Sequence, residues 1–141
     1  MNLTFKTSDK LPNEAKEIRT TVFVCEQGFK DEFDESDDIS IHILMYLDLT
    51  PIGVARIIYQ EKHACYTIGR FAILKEYRNK GYGRELLKYV EQVIVDRFGH
   101  ILVGVSAQER AKEFYLKMGY VFTGEKYLDE NYPHYYLTKK L

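Results

Sequence analysis

Tryptophan is absent from the 141-residue sequence, cysteine occurs twice and proline three times. Each scarcity closes off a class of protein. Cys25 and Cys65 form no CxxC pair and no ligand set with the four histidines, so no metal centre is expected. Two free thiols, buried or half-buried in a reduced cytoplasm, are the expectation instead. Neither charge is in excess: twenty Lys and Arg stand against twenty-one Asp and Glu, a formal net charge of -1. A domain whose main partner is nucleic acid usually carries a clear basic surplus, so that partner is not expected. Long apolar runs are missing too. Residues 41–47 and 101–105 are the longest, far short of the roughly 20 needed to span a bilayer. The opening MNLTFKTSDK has no apolar core behind its charges and does not read as a signal peptide. A cytoplasmic protein with no membrane partner is the expectation. There is no repeat, no low-complexity tract and no linker rich in Pro or Ser.

What the chain does have is aromatic and aliphatic bulk. Twelve Tyr, eight Phe and a hydrophobic share of 45% supply one core, and the length fits one domain over residues 1–141. Residues 3–6 alternate as a first strand. Over residues 11–25, Ala15, Ile18, Val22 and Cys25 recur at helical spacing. Residues 31–38 hold six carboxylates and read as a solvated loop or a short irregular helix. Residues 41–48 and 52–60 read as strands joined through Leu49, Thr50 and Pro51. Residues 65–74 form the next strand. From 82 to 98, Leu86, Leu87, Val90, Val93, Ile94 and Phe98 share one helical stripe. Residues 101–105 suit a buried strand. Ala111, Phe114 and Met118 mark another amphipathic helix that stops at Gly119. Residues 120–127 and 134–139 close the chain as strands. The order predicts an α/β fold with an α+β mixed sheet of six to seven strands and about four helices.

The chemistry concentrates where the strand at 65–74 runs into the turn Arg78-Asn79-Lys80-Gly81-Tyr82-Gly83-Arg84 and opens the long helix. The first N–H groups of a helix have no internal partner and carry partial positive charge. Glycines let the backbone approach an anion, and Arg78, Lys80 and Arg84 add full charge. The product is a phosphate or pyrophosphate site. A P-loop is excluded because the chain has no Gly-Lys-Ser or Gly-Lys-Thr. A dinucleotide fingerprint would need a third glycine at position 86, which is Leu.

What remains, Arg-x-x-Gly-x-Gly over 78–83, resembles the pyrophosphate signature of the GNAT superfamily of acyl-CoA-dependent N-acyltransferases. Ala111-x-x-Phe114-Tyr115-x-x-x-Gly119-Tyr120 resembles its second signature, about 30 residues on. The resemblance implies the GNAT fold, with acetyl-CoA as acyl donor, coenzyme A as product and no metal. It implies main-chain contacts to the pantetheine arm from Phe71, Ala72 and Ile73. Arg78, Asn79, Lys80, Gly81, Tyr82 and Gly83 would hold the pyrophosphate; Arg84 is added on local charge alone. Gln108 would stand beside the cofactor, and the Tyr115 hydroxyl would protonate the departing thiolate. Phe114 reads as a core aromatic, with Tyr115 next to the apolar stripe rather than in it. Asn79 replaces a more usual Gly and is tolerable in a left-handed conformation.

An enzyme of this kind moves an acetyl group to an amine by direct attack. A backbone N–H near Ile73 would stabilise the oxyanion, and a base must first take a proton from the ammonium. Glu26, Glu32, Asp34 and His134 are the candidates for that base. No base neighbours either thiol in a known pattern, which argues against an acyl-enzyme route. Arg19-x-x-Val22-Phe23-Val24-x-Glu26-Gln27-Gly28, the acidic segment and Pro133-His134 resemble the small bacterial ElaA-like branch, itself similar to glucosamine-phosphate acetyltransferases. Ser106 stands where that branch often has His. The expected acceptor is a small cationic amine drawn by the acidic segment. An amino-sugar phosphate read by Arg19, Arg56 or Arg70 is the alternative, as is a silent CoA-binding sensor. A homodimer is left open.

Overall fold

The computed structural model describes residues 2–141. Among the described residues seven strands form one sheet: β1 Leu3–Ser8, β2 Ile41–Leu47, β3 Thr50–Gln60, β4 Cys65–Ile73, β5 Leu102–Gln108, β6 Val121–Asp129 and β7 Tyr132–Lys140. Their order across the sheet is β1-β2-β3-β4-β5-β7-β6. Only β4 and β5 run parallel, joined through the long helix; every other pair is antiparallel. Three α-helices, α1 Asn13–Arg19, α2 Tyr82–Phe98 and α3 Glu109–Lys117, cover the faces. The helix expected over residues 11–25 runs past α1 as a π-helical turn, Thr20–Glu26, and the short irregular helix expected in the acidic segment is the 3₁₀ turn Glu35–Ile39. None of these helices is long and apolar enough to cross a membrane.

That π-turn overturns one expectation about a thiol. Its wider winding carries the chain round by an extra residue, with Gln27 N–H bonding back to Val22 O at 3.1 Å. Ala15, Ile18 and Val22 stay on the buried face, but Phe23 joins them and Cys25 is turned out to solvent. The first hairpin also closes earlier than expected. Asp48, with φ at 55°, and the exposed Leu49 form the turn, and Thr50 and Pro51 already belong to β3.

Two apolar cores follow from the pleat. On one face Leu86, Leu87, Val90 and Ile94 of α2 pack on Ile43, Ile57, Ile68, Val105 and Leu137. Full burial of each such side chain is worth about 1.5–3 kcal/mol. On the other face α1 and the π-turn cover Leu44, Tyr46, Val54 and Ala72. Phe98, expected on the α2 stripe, is half-buried and stacks on Tyr66 with ring centroids 3.9 Å apart.

Candidate active site

β4 and β5 pair over only three positions, Tyr66 with Val103, Thr67 with Gly104 and Ile68 with Val105. Past Ile68, β4 follows β3 to the pair Ile73–Gly53, and β5 follows β7 to Gln108–His134. The two central strands therefore part. A bulge accompanies the divergence: Arg70 and Phe71 oppose the single residue Ala55, and Arg70 sits at φ 46°. Leu74 N–H donates to Ile52 O on β3 at 2.9 Å. By the alternation of an antiparallel ladder, the backbone groups of Phe71 and Ile73 then face the gap, and those of Ala72 face β3. The expected pantetheine contact from the Ala72 main chain is thereby corrected, since that residue is committed to the sheet.

The gap opens into a cavity of about 1340 Å³ that runs from the turn before α2 to the loop after the π-turn. At its first end, Asn79 takes φ 62° and Gly81 takes φ 86°, the left-handed region in both cases. Gly81 is the N-cap of α2 and offers no side-chain cap. The first turn of α2 is thus left with N–H groups that no capping side chain satisfies. Gly81 is required for its φ, whereas a Cβ on Gly83 would meet Phe114 at an ordinary 3.7 Å. Arg84 and Lys88 line this end. Arg78 lines it too, but its guanidinium is already engaged: Nη1 and Nη2 bind Glu26 at 3.0 and 2.9 Å, and Nε donates to Ile73 O at 2.8 Å. Its side chain braces the turn against the π-turn. Lys80 is exposed and Tyr82 packs on Tyr77, both outside the cavity lining.

In the middle of the cavity stand Phe114 and Tyr115. Their relative burial is the reverse of that expected. Tyr115 is the buried residue of α3, 3% exposed, and packs on Phe71 and Tyr120, while Phe114 is half-buried. The Ala111, Phe114 and Met118 stripe is half-buried, packing against the core while it lines the cavity. Burial alone raises the Tyr115 phenol well above its ordinary value, so the hydroxyl stays protonated. Gln108 lines the opposite wall, and its Nε2 donates to Gln27 Oε1 at 2.7 Å.

The far end is ionic. Arg19, 1% exposed, donates from Nε to Glu32 at 2.8 Å and from Nη1 to Asp37 at 2.8 Å. Arg56 Nη1 reaches the same Asp37 at 3.2 Å, and Arg70 Nε stands 3.0 Å from Glu32. Burial raises the Glu32 carboxyl above its usual range despite Arg70 and Arg19. Burial pushes Asp37 the same way, but Arg19 and Arg56 reverse it and hold that carboxyl below its usual range. The acidic segment is therefore not simply a solvated loop. Glu32 and Asp37 are buried, and Asp31 and Asp34 are exposed along the cavity. Glu130, at the β6–β7 turn, fixes the loop by accepting from Lys30 and Asp31 N–H at 2.8 and 3.0 Å. His134 is buried against Tyr127 and Phe29 and also lines the cavity. Tyr127 shares a hydrogen bond with Ser106, and of these two only Ser106 carried a signal in the sequence.

The chain matches the family model described as an acetyltransferase (GNAT) domain over residues 7–141. A Bacillus subtilis (strain 168) protein named for an inferred acetyltransferase activity is 35% identical, with 99% of this chain and 97% of that protein covered. Among solved structures, an inferred N-acetyltransferase from Lactobacillus plantarum has a TM-score of 0.86 at 30% identity, covering 100% of this chain and 99% of that one. Escherichia coli ElaA has a TM-score of 0.85 at 21% identity, covering 99% and 100%, a likeness of fold. A Bacillus subtilis acetyltransferase solved in complex with CoA shares the fold at a TM-score of 0.75 and 14% identity, covering 99% of each chain.

Proposed function

This chain belongs to the GNAT acetyltransferase family, and we propose that it acetylates a small cationic primary amine with acetyl-CoA as donor. The observation that carries this reading is the parting of β4 from β5 into a cavity that reaches an uncapped helix N-terminus and is lined by Tyr115. A fold neighbour binds CoA, and the residues present suit the same group. The first turn of α2 and Arg84 would hold the pyrophosphate. The backbone of Phe71 would pair with a pantetheine amide. When bound, acetyl-CoA supplies an activated thioester. The Ile73 N–H would then donate to the carbonyl oxygen as negative charge develops there. Tyr115 would give its proton toward the departing sulfur.

The choice of acceptor rests on how charge divides along the cavity. Arg84 and Lys88, on the first turns of α2, line the cavity near the turn before that helix, and Asp31, Asp34, Asp129 and Glu130 line it near the loop after the π-turn. The guanidinium groups that would read a sugar phosphate, Arg19, Arg56 and Arg70, are held by Glu32 and Asp37. A cationic amine is therefore favoured over an anionic one. Incubation with acetyl-CoA and a panel of amines, followed by free thiol, tests the proposal. Turnover of cationic amines supports it. Turnover confined to amino-sugar phosphates would replace the acceptor class, and CoA binding without thiol release would make the chain a sensor.

A further inference from the structure

Resting on that reading, the geometry points to His134 as the general base that takes the proton from the acceptor ammonium, through Nε2. An alkyl ammonium has a pKa near 10.4 and carries no lone pair at neutral pH, so the site needs a proton acceptor beside the amine. Of the four residues the sequence offers, three are committed elsewhere. Glu26 spends both oxygens on Arg78. Glu32 is 4% exposed and compensates two guanidinium groups, so protonating it would strand buried positive charge. Asp34 caps the short helix Glu35–Ile39 by accepting from Ser36 N–H at 2.9 Å.

His134 differs in kind. Its Nδ1 stands 3.0 Å from the Tyr132 carbonyl oxygen, which can only accept, so Nδ1 bears the hydrogen and Nε2 keeps the lone pair. The ring is fixed by stacking on Tyr127, with centroids 5.7 Å apart, and by the edge of Phe29. Residue 134 is paired with Gln108 at the end of β5, beyond the point where β4 has left. It is 7% exposed and lines the cavity together with Ser106, Tyr127, Asp129 and Glu130. The position is therefore at the carboxylate end, between the acceptor's electrostatic attraction and the cofactor wall.

The proton balance closes. The ammonium gives its first proton to Nε2, and the freed lone pair forms the C–N bond to the acyl carbon. As the C–S bond breaks, its electron pair leaves on sulfur, which takes the Tyr115 proton. The second proton shed by nitrogen returns to the phenolate through solvent, and the imidazolium releases its own to solvent.

The test is the dependence of the deficit on acceptor basicity. In His134→Gln, kcat/KM for an alkylamine at pH 7 should fall about 10²-fold or more. For a hydrazide, already neutral at that pH, the loss should shrink to a few-fold. CoA affinity and the thermal midpoint should stay near wild type. Equal losses for both amines would overturn the assignment, because a packing role does not sort acceptors by basicity. On wild-type protein, ¹⁵N-histidine NMR should show His134 as the Nδ1–H tautomer; the Nε2–H tautomer would also overturn it, whatever the variant's stability. Absence of thiol release from the wild-type enzyme with every amine would instead defeat the acetyltransferase reading itself.

Discussion

A phenol on which only burial acts has one use near neutral pH, which is to donate. Tyr115 is such a group. Tyr115→Phe should lower kcat by about 10²-fold or more and leave the CoA Kd close to wild type. Single-turnover rates are the fair measure, since slow product release would hide the loss. Burial works on His42 with the opposite sign for a cation. Desolvation depresses its pKa, outweighing the hydrogen bond to the Asp37 carbonyl at 2.8 Å, so the folded state holds it neutral. The unfolded chain binds a proton below about pH 6.5. The stabilisation from a neutral His42 is therefore complete above that pH and is lost as pH falls through it. Asp37, also depressed, adds a second loss below about pH 3.9, where the unfolded carboxyl protonates first. Thermal midpoints should be flat from neutrality to about pH 9 and decline below neutrality in these two steps. His42→Gln should flatten the first step without moving the second.

At the scale of single elements, the turn into α2 and the π-turn after α1 are one assembly, because Arg78 ties them through Glu26 across 52 residues. Gly81 controls the anion end of it. Gly81→Asp would place a carboxylate and a strained φ of 86° at the helix N-cap. Calorimetry should find most of the CoA affinity gone from a protein that still folds, since a Cβ there meets nothing within 4 Å. The ionic cluster behaves differently. Arg19 joins α1 to the segment that carries Glu32 and Asp37, and its removal leaves two buried carboxylates without their main partner. Arg19→Ala should cost about 3–5 kcal/mol in chemical denaturation.

For the whole molecule, a nearly neutral chain brings cations beside the turn before α2 and exposed carboxylates beside the loop after the π-turn to the lining of one cavity. Asp31, Asp34 and Asp129 are exposed along the cavity, whereas Glu32 belongs to the buried cluster and is better left in place. Changing those three aspartates to Asn should raise KM for cationic amines and leave CoA binding intact. The salt dependence of kcat/KM should flatten as well, because screening over about 8 Å at 0.15 M salt already weakens the attraction being removed. Unchanged KM and salt slope would remove the electrostatic argument for the acceptor.

The sequence by itself determined whatever depends on neighbours along the chain. The stripe of Leu86, Leu87, Val90 and Ile94 specifies a helix face through spacing alone. Asn79 and Gly81 specify left-handed turns because few other residues tolerate them, so the conformation of the turn before α2 was legible residue by residue. Tertiary structure decided everything that depends on which distant groups meet. Arg78 reads as a phosphate ligand until Glu26 takes its guanidinium, and Glu32 reads as a solvated carboxylate until Arg19 and Arg70 enclose it. Cys25 reads as a buried position until a π-turn adds one residue to the winding. A charged or hydrogen-bonding side chain acts through its partners, and those partners are supplied only when the sheet brings β4, β5, β7 and the loop after the π-turn to one cavity.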